Sequence, residues 1–463
     1  MVYHKKNKNK TLTLKRLLAA LPFLCLPLIC GAAESIALKE IPAQGPYIET
    51  IRVEMFCVPE DHSSTWTDMS AWGGSFYSIA RKKSVQVLPD HPELDYRLWL
   101  QDSIAPLAII LPGTGAHCSM PAAVALASLL YKDGFSAIII SGSFNYQFME
   151  SAGAHIVPGN PPDDAADVYN SLKAVIKDVE NRYGKEKISG KSLVGLSMGG
   201  LHALFISSMD KGDNAINFDS FLAVDPPVDL LYASKQIDSV MNTWRNWPKD
   251  KINDEAIRGG TFYLAMLAGK INPADPLPLS NDEARLLIGA SFRFGLSDTI
   301  YSIHRRHDFG IIKTPYSWFS RTALYKEIDN IDFYGYSETF LLQYYARENK
   351  GLTVEKMSGK GSLYSIADSL NANSKVRVIH TLNDFILRPE DPELLHSIFG
   401  ERITFFDKGG HLGNLYTPEV QSRIIKYMRG NGPFGFFNIS ANKAAKILYP
   451  TPYSASSSKT SSF

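Results

Sequence analysis

Short apolar runs alternate with longer amphipathic stretches between residues 107 and 225, and this rhythm restricts the fold more than any other feature of the chain. The runs are rich in Ile, Leu and Val and too short for helices, so they predict buried β-strands. Strands that alternate with helices form a parallel sheet with helices on both faces. The predicted strands are 107–111, 137–140, 192–196 and 221–225, and the predicted helices are 121–132, 163–183 and 199–209.

The alternation stops after the two prolines at 226–227 and returns near the C-terminus. Residues 229–375 show no clear strand and are rich in aromatic side chains, so we predict an inserted helical lid there. This divides one α/β domain into a first part, 34–228, and a second part, 376–430, followed by a C-terminal extension, 431–463. Two strands are predicted before the alternation, at 51–58 and 96–101; strands at 376–381 and 403–406 and helices at 390–399 and 418–428 are predicted after the lid.

The first 33 residues have the three-part pattern of a secretory signal peptide. Residues 1–16 contain six Lys or Arg and no acid, 17–30 are apolar but too short to span a bilayer, and 31–33 are small. We therefore expect an exported protein, periplasmic or secreted, with no stable membrane span after cleavage. An uncleaved, membrane-anchored form is the alternative.

Charge and cysteine content narrow the classes of partner and site. The chain has 48 basic and 47 acidic residues, a formal charge of +1, which gives no electrostatic reason to expect nucleic acid. Two of the four cysteines lie in the predicted signal, so Cys57 and Cys118 remain. In an oxidising compartment they form either a disulfide or two buried free thiols, and the sequence leaves both alternatives open.

Residues 192–200 read SLVGLSMGG, and they place Ser197 in a G-x-S-x-G pattern between a predicted strand and a predicted helix. The pattern alone is weak, because small residues recur by chance. In a strand–turn–helix setting it predicts a tight turn on which the serine hydroxyl projects from the sheet edge as a nucleophile.

A serine hydroxyl becomes a good nucleophile when a base takes its proton. His411 is the candidate base, because it follows the last predicted strand on a Gly-rich loop. Asp384, three residues after strand 376–381, is the candidate acid that orients the base, and the chain order Ser–Asp–His is that of triads on such sheets. The alternatives are Asp225 for the acid and His380, His117 or His202 for the base.

The loop after strand 107–111 reads LPGTG and is the candidate oxyanion hole. Its amides, at Thr114 or Gly115, together with the Met198 N–H, are placed to stabilise a tetrahedral intermediate.

These residues resemble the α/β-hydrolase superfamily, and the similarity extends over approximately 51–430 apart from the insertion. The matching positions are 113–115, 195–200, Asp384 and 410–411. The resemblance implies a mostly parallel, eight-stranded α/β-hydrolase sheet, a Ser-His-Asp triad and no cofactor.

The sequence therefore predicts an exported serine hydrolase that cleaves carboxylic esters through an acyl-enzyme, with a small-molecule or lipid-like acyl substrate. No metal is expected, and the HRRHD run at 304–308 is interpreted as a solvated face. The alternatives are a serine peptidase or acyltransferase on the same fold, or a non-catalytic binding protein that has kept the fold. The oligomeric state is left open.

Overall fold

A computed structural model describes residues 33–57, 76–316, 321–347 and 349–429. The predicted signal peptide, apart from its last residue, and the predicted C-terminal extension lie outside these residues. Nine strands form one sheet in the described part of the chain: β1 (Glu34–Ile36), β2 (Arg81–Val85), β3 (Leu94–Trp99), β4 (Ala105–Leu111), β5 (Ser136–Ile140), β6 (Ile188–Leu196), β7 (Ser220–Val224), β8 (Val376–Thr381) and β9 (Ile403–Phe406).

The strand order is β1-β9-β8-β7-β6-β4-β5-β3-β2. β3 runs antiparallel to its two neighbours β2 and β5, and the other neighbouring strands are parallel. The predicted fold class is thereby confirmed as a mostly parallel α/β sheet. The sheet has nine described strands rather than eight, because β1 adds an edge strand beside β9.

Helices cover both faces of this sheet. They are α1 (Pro46–Ile51), α2 (Val53–Phe56), α3 (Pro121–Lys132), α4 (Tyr146–Ser151), α5 (Pro161–Tyr183), α6 (Met198–Met209), α7 (Leu230–Met241), α8 (Lys249–Leu267), α9 (Asn281–Arg306), α10 (Thr322–Ile328), α11 (Phe333–Tyr336), α12 (Leu342–Ala346), α13 (Val354–Gly361), α14 (Ala367–Ala372), α15 (Asp391–Phe399) and α16 (Pro418–Arg429). None of the described helices has the length and the apolar character needed to cross a membrane.

The central strands are buried on both faces, which explains their continuous apolar sequences. Every residue of β5 and β7 is buried. One face packs against α5, α6 and part of the helical insertion, and the opposite face packs against α3 and α16. Because β4, β6, β8 and β9 run in the same direction, their carboxyl ends meet at one edge of the sheet, where the candidate site residues follow them.

The strand predicted at 51–58 is wrong for the residues that the structure describes. Residues up to Phe56 form the short helices α1 and α2, and residue 58 lies outside the described part. The apolar and polar residues alternate as in a strand, but Ile48, Ile51 and Met55 also lie one helical turn apart. Together they pack against α8, α9 and their connection, so tertiary packing selects the helix.

The described residues between β7 and β8 contain helices and no strand. β7 nevertheless pairs directly with β8, Phe221 opposite Val376, so the insertion leaves the sheet and returns to it on adjacent strands. Its longest helix, α9, begins with a capping box in which the Ser280 hydroxyl accepts from Glu283 N–H and the Glu283 carboxylate accepts from Ser280 N–H. The domain boundaries at 228/229 and 375/376 stay predictions.

Candidate active site

Ser197 stands on the turn between β6 and α6 with φ 53° and ψ −119°, a backbone conformation that non-glycine residues rarely adopt. The flanking glycines make this turn sterically feasible. A Cβ at Gly195 would overlap the carbonyl of Gly199, and one at Gly199 would overlap the carbonyl of Leu111. The strained turn predicted from the sequence is therefore present around Ser197.

The structure brings Ser197, His411 and Asp384 together. His411 Nε2 lies 2.8 Å from Ser197 Oγ, and His411 Nδ1 lies 2.7 Å from Asp384 Oδ2. Asp384 follows β8 and His411 follows β9, whereas Ser197 follows β6, so the three meet at the same sheet edge. With Nδ1–H donated to the carboxylate, Nε2 is left to accept the hydroxyl proton of Ser197.

The electrostatic surroundings of His411 raise the pKa of its imidazole. Burial alone lowers the pKa of its imidazole, but the carboxylate of Asp384, through its charge and its hydrogen bond, and the more distant Asp225 outweigh burial and raise this pKa above its usual value. An imidazole in this position can take a proton and hold the resulting charge against Asp384.

Asp225, the alternative acid, is fully buried beside the same loops. Its carboxylate accepts hydrogen bonds from Thr381 N at 2.8 Å and from Leu412 N at 2.9 Å. Burial raises the pKa of Asp225, and the carboxylate of Asp384 raises it further. Asp225 thus supports the backbone next to His411, while Asp384 bonds to the imidazole itself.

Asp225, Asp384 and His380 bring their donor atoms within 4.8 Å of one another, which is a spacing that metal ligands also have. These atoms already have protein partners. His380 Nε2 lies 3.1 Å from the carbonyl of Pro226, and Asp384 Oδ1 accepts from Ile386 N at 3.0 Å. The arrangement fits a buried hydrogen-bond network that joins the ends of β7 and β8.

The predicted oxyanion residues have different surroundings. Met198 is the first residue of α6, and Thr114 and Met198 line a cavity together with Ser197. Gly113 passes close to the nucleophile, since a Cβ built on it lies 3.6 Å from Ser197 Cβ. Gly115, with φ +71°, is not among the residues that line the cavity, and its carbonyl accepts from Asn145 Nδ2 at 3.1 Å.

The cavity encloses about 840 Å³, part of it open to solvent, and contacts Ser197 and His411. The described residues that line it include no Asp, Glu, Lys or Arg. Much of its wall comes from the helical insertion, including Leu231, Ile237, Phe292, Phe333, Leu341 and Met357. The aromatic residues of the insertion therefore divide: Phe292 and Phe333 line the cavity, Phe294 is exposed, and Trp318 lies outside the described residues.

Two other predictions on individual side chains have outcomes in the structure. Cys57 and Cys118 are buried free thiols, which is the second of the two alternatives. The run at 304–308 is only partly solvated: His304 is buried with Nε2 3.2 Å from the carbonyl of Thr314, whereas Arg305 and Asp308 are exposed. Burial of His304 corrects the interpretation of the whole run as a solvated face.

Sequence reasoning missed the residues that hold the His411 loop. Glu49, Thr50 and Asn383 are hydrogen-bonded to the backbone of residues 409–411. Asn383 could have been noticed as the neighbour of Asp384. Nothing in the sequence pattern points to Glu49 and Thr50, because they lie more than 300 residues from the loop.

No protein-family model matches the chain, and no curated protein matches it. Several solved structures are similar in fold. The match to an esterase of Pyrococcus furiosus, Pf2001, has 12% sequence identity and a TM-score of 0.40, and it covers 78% of this chain and 95% of the esterase. The match to an acylaminoacyl peptidase of Pyrococcus horikoshii has 10% identity and a TM-score of 0.37, and it covers 74% of this chain and 39% of the peptidase. The match to a proline iminopeptidase of Mycobacterium smegmatis has 15% identity and a TM-score of 0.37, and it covers 75% of this chain and 98% of the iminopeptidase. Similarity at these levels does not transfer an activity to this chain.

Proposed function

We propose that this protein is an exported serine hydrolase that cleaves carboxylic esters whose acyl group is apolar and carries no charge. The observation that carries the proposal is the hydrogen-bonded chain from Ser197 Oγ through His411 to Asp384, at 2.8 and 2.7 Å. This is the arrangement that activates a hydroxyl for attack on a carbonyl carbon.

In the proposed reaction His411 Nε2 removes the Ser197 proton while Oγ attacks the carbonyl carbon of the ester. Asp384 keeps the Nδ1–H tautomer and stabilises the imidazolium that forms. The tetrahedral intermediate collapses when His411 returns the proton to the departing alcohol, which leaves an acyl group on Ser197. His411 then removes a proton from water as the water oxygen attacks the acyl carbon. When this second tetrahedral intermediate collapses, the bond from the acyl carbon to Ser197 Oγ breaks, Oγ takes the proton back from His411, and the free acid leaves.

The negative oxygen of the tetrahedral intermediate needs donors that are already in place. The Met198 N–H at the start of α6 is one candidate, because the positive end of the helix dipole lies there. The Thr114 amide is the second, on the loop that passes beside Ser197. Each such donor contributes roughly 10²–10³-fold to the rate of acyl transfer.

The cavity supports an ester with an apolar acyl group over a peptide substrate. A peptidase that recognises a chain terminus needs a charged side chain to hold it, and the described lining residues include no carboxylate, ammonium or guanidinium group. Apolar side chains from the insertion can instead bury an apolar acyl chain, which favours its binding by roughly 25 cal/mol for each Å² of apolar surface removed from water. Export is inferred from the sequence of residues 1–33 alone.

The test is labelling with a fluorophosphonate probe and hydrolysis of p-nitrophenyl butyrate beside leucyl p-nitroanilide. Ser197→Ala should abolish labelling and turnover, whereas Ser234→Ala, in the same cavity but outside the hydrogen-bonded chain, should retain both. Labelling that survives Ser197→Ala would refute this serine as the nucleophile. Faster cleavage of the anilide would favour the peptidase, and an unlabelled wild type beside a labelled control hydrolase would favour a binding protein.

A further inference from the structure

The segment of residues 44–52, which we call the strap, contains helix α1 and lies against the loop that carries His411. Glu49 is the centre of this contact and is 1% exposed. Its Oε1 accepts from the backbone N–H groups of Gln44 and Gly45, both at 2.9 Å. Its Oε2 accepts from Asn383 Nδ2 at 2.7 Å and from Gly409 N at 2.8 Å. One buried carboxylate thus joins the strap to two loops of the site.

Thr50 and Asn383 continue the contact along the same loop. The Thr50 hydroxyl accepts from His411 N at 2.8 Å and donates to the carbonyl of Pro46 at 2.6 Å. Asn383 Oδ1 accepts from Gly410 N at 2.9 Å. The three successive N–H groups of residues 409–411 are therefore held by Glu49, by Asn383, which Glu49 itself holds, and by Thr50.

The loop is pressed so closely on α1 that side chains do not fit at two of its positions. A Cβ at Gly410 would overlap the carbonyl of Pro46, and a Cβ at Gly413 would overlap the carbonyl of Glu49. Gly410 also has φ +58°, where a side chain adds strain. The strap thus fixes the path of the backbone on both sides of His411.

The strap also contacts the helical insertion. Arg52, 0% exposed, donates to the carbonyls of Pro273 at 2.7 Å and Asp275 at 2.9 Å. Gln44 exchanges two hydrogen bonds with the backbone of Leu277, at 2.9 and 2.8 Å. One short segment therefore connects the α8–α9 connection of the insertion to the loop of His411.

We propose that Glu49 and Thr50 are positioning residues, which hold the His411 imidazole in line between Ser197 and Asp384. Burial of a carboxylate is unfavourable unless its acceptors are satisfied, and the four partners of Glu49 are neutral donors that include the loop backbone and the side chain next to Asp384. An apolar residue would fill the same volume without fixing these N–H groups. The inference rests on the proposed hydrolase activity.

The experiment compares Thr50→Val with Thr50→Ser and adds Glu49→Gln. Thr50→Val keeps the volume but removes the acceptor of His411 N, and Thr50→Ser keeps the hydroxyl. In wild type each carboxylate oxygen of Glu49 accepts from two N–H donors. Glu49→Gln replaces one of these oxygens by an amide N–H₂, which cannot accept, so one pair of donors loses its partner. Ser220→Ala is the matched control for fold stability. The Ser220 hydroxyl is buried and bonded to Ser192 Oγ at 2.9 Å, and it lies at the amino end of β7, whereas the site lies at the carboxyl ends of the strands.

The expected result is a fall in kcat of about 10-fold or more for Thr50→Val and Glu49→Gln, with KM within about 2-fold, because displacements of around 1 Å are enough to lose such a factor. Thr50→Ser should recover most of the wild-type kcat, and Ser220→Ala should keep it. The acid limb of the pH profile should move to lower pH in Thr50→Val and Glu49→Gln, because a loosened Asp384 contact raises the His411 pKa less.

Equal kcat values and pH profiles for Thr50→Val and Thr50→Ser would overturn the inference. So would losses of kcat that follow the melting temperature in the same way for Ser220→Ala as for the strap variants. Failure of the proposed function looks different, because the wild type itself would then neither hydrolyse the ester nor bind the probe covalently.

Discussion

The choice between Asp384 and Asp225 as the acid partner of His411 leads to an experiment with a large expected difference. Asp384→Asn replaces the carboxylate 2.7 Å from His411 Nδ1 by an amide. When the amide N–H₂ faces Nδ1, the proton moves to Nε2, which then can no longer accept the Ser197 proton. Asp225→Asn instead alters contacts to the backbone N–H groups of Thr381 and Leu412 and leaves the imidazole contact intact.

The magnitude follows from burial. Asp384 and His411 are 4% and 6% exposed, and removal of one partner from a buried, hydrogen-bonded ion pair costs about 3–5 kcal/mol. During the reaction His411 is charged, so this loss falls on the transition state and corresponds to about a 10²- to 10⁴-fold lower kcat. Asp225→Asn keeps one acceptor oxygen, and the carboxylate it replaces is bonded to Thr381 N and Leu412 N rather than to the imidazole, so we expect less than about a 10-fold loss.

The assay is kcat for p-nitrophenyl butyrate between pH 5 and 9, with the melting temperature of each variant as the control for folding. Only neutral His411 can act as the base, so wild-type activity should rise with pH through the raised pKa of His411. Without the Asp384 charge this pKa falls, and the acid limb of Asp384→Asn should lie at lower pH. A larger loss for Asp225→Asn than for Asp384→Asn, in folded proteins, would refute the assignment.

Two further predictions concern a buried acid and the cavity wall. Burial raises the pKa of Asp164 to about 8, so from about pH 4 to 8 the folded state keeps a proton that the unfolded state has lost, and stability falls as pH rises. Asp164→Asn should remove this loss, on the order of a few kcal/mol, and urea unfolding of both proteins at pH 5 and 8 measures it; an equal pH dependence in the two proteins would contradict the expectation. Met357→Trp should narrow the cavity and lower the kcat/KM ratio of p-nitrophenyl octanoate to acetate by about 10-fold or more, with Met357→Leu as the volume-matched control. An unchanged ratio in Met357→Trp would place the acyl chain elsewhere.

The sheet and the three candidate residues could be predicted because their signals are local. Strands such as β5 are buried on both faces and read as apolar runs, and the turn at Ser197 needs small neighbours for steric reasons visible in five residues. Asp384 and His411 follow strand ends, and the parallel sheet brings such ends together. Residues that follow the ends of parallel strands therefore lie close together, even when they are far apart in the sequence.

The parts that could not be predicted depend on contacts between distant segments. Residues 51–56 alternate as a strand would, and only packing against α8 and α9 makes them helical. Phe292 lines the cavity because of the way the insertion packs. The apolar residues of α9 do not recur along one helix face, so the sequence does not indicate which way Phe292 faces. The role of Glu49 depends on Asn383 and Gly409, and no local pattern relates these three residues.

The contact between Glu49 and Gly409 joins residues 360 positions apart. A chain emerges from the ribosome with its N-terminus first, so the strap is synthesised early. Its partners at residues 383 and 409–411 are synthesised only after most of the protein. Contacts of such long range also form slowly. A nascent chain would therefore carry Ser197 before His411 is in place, and the onset of the proposed hydrolase activity would report that the strap and residues 409–411 have met.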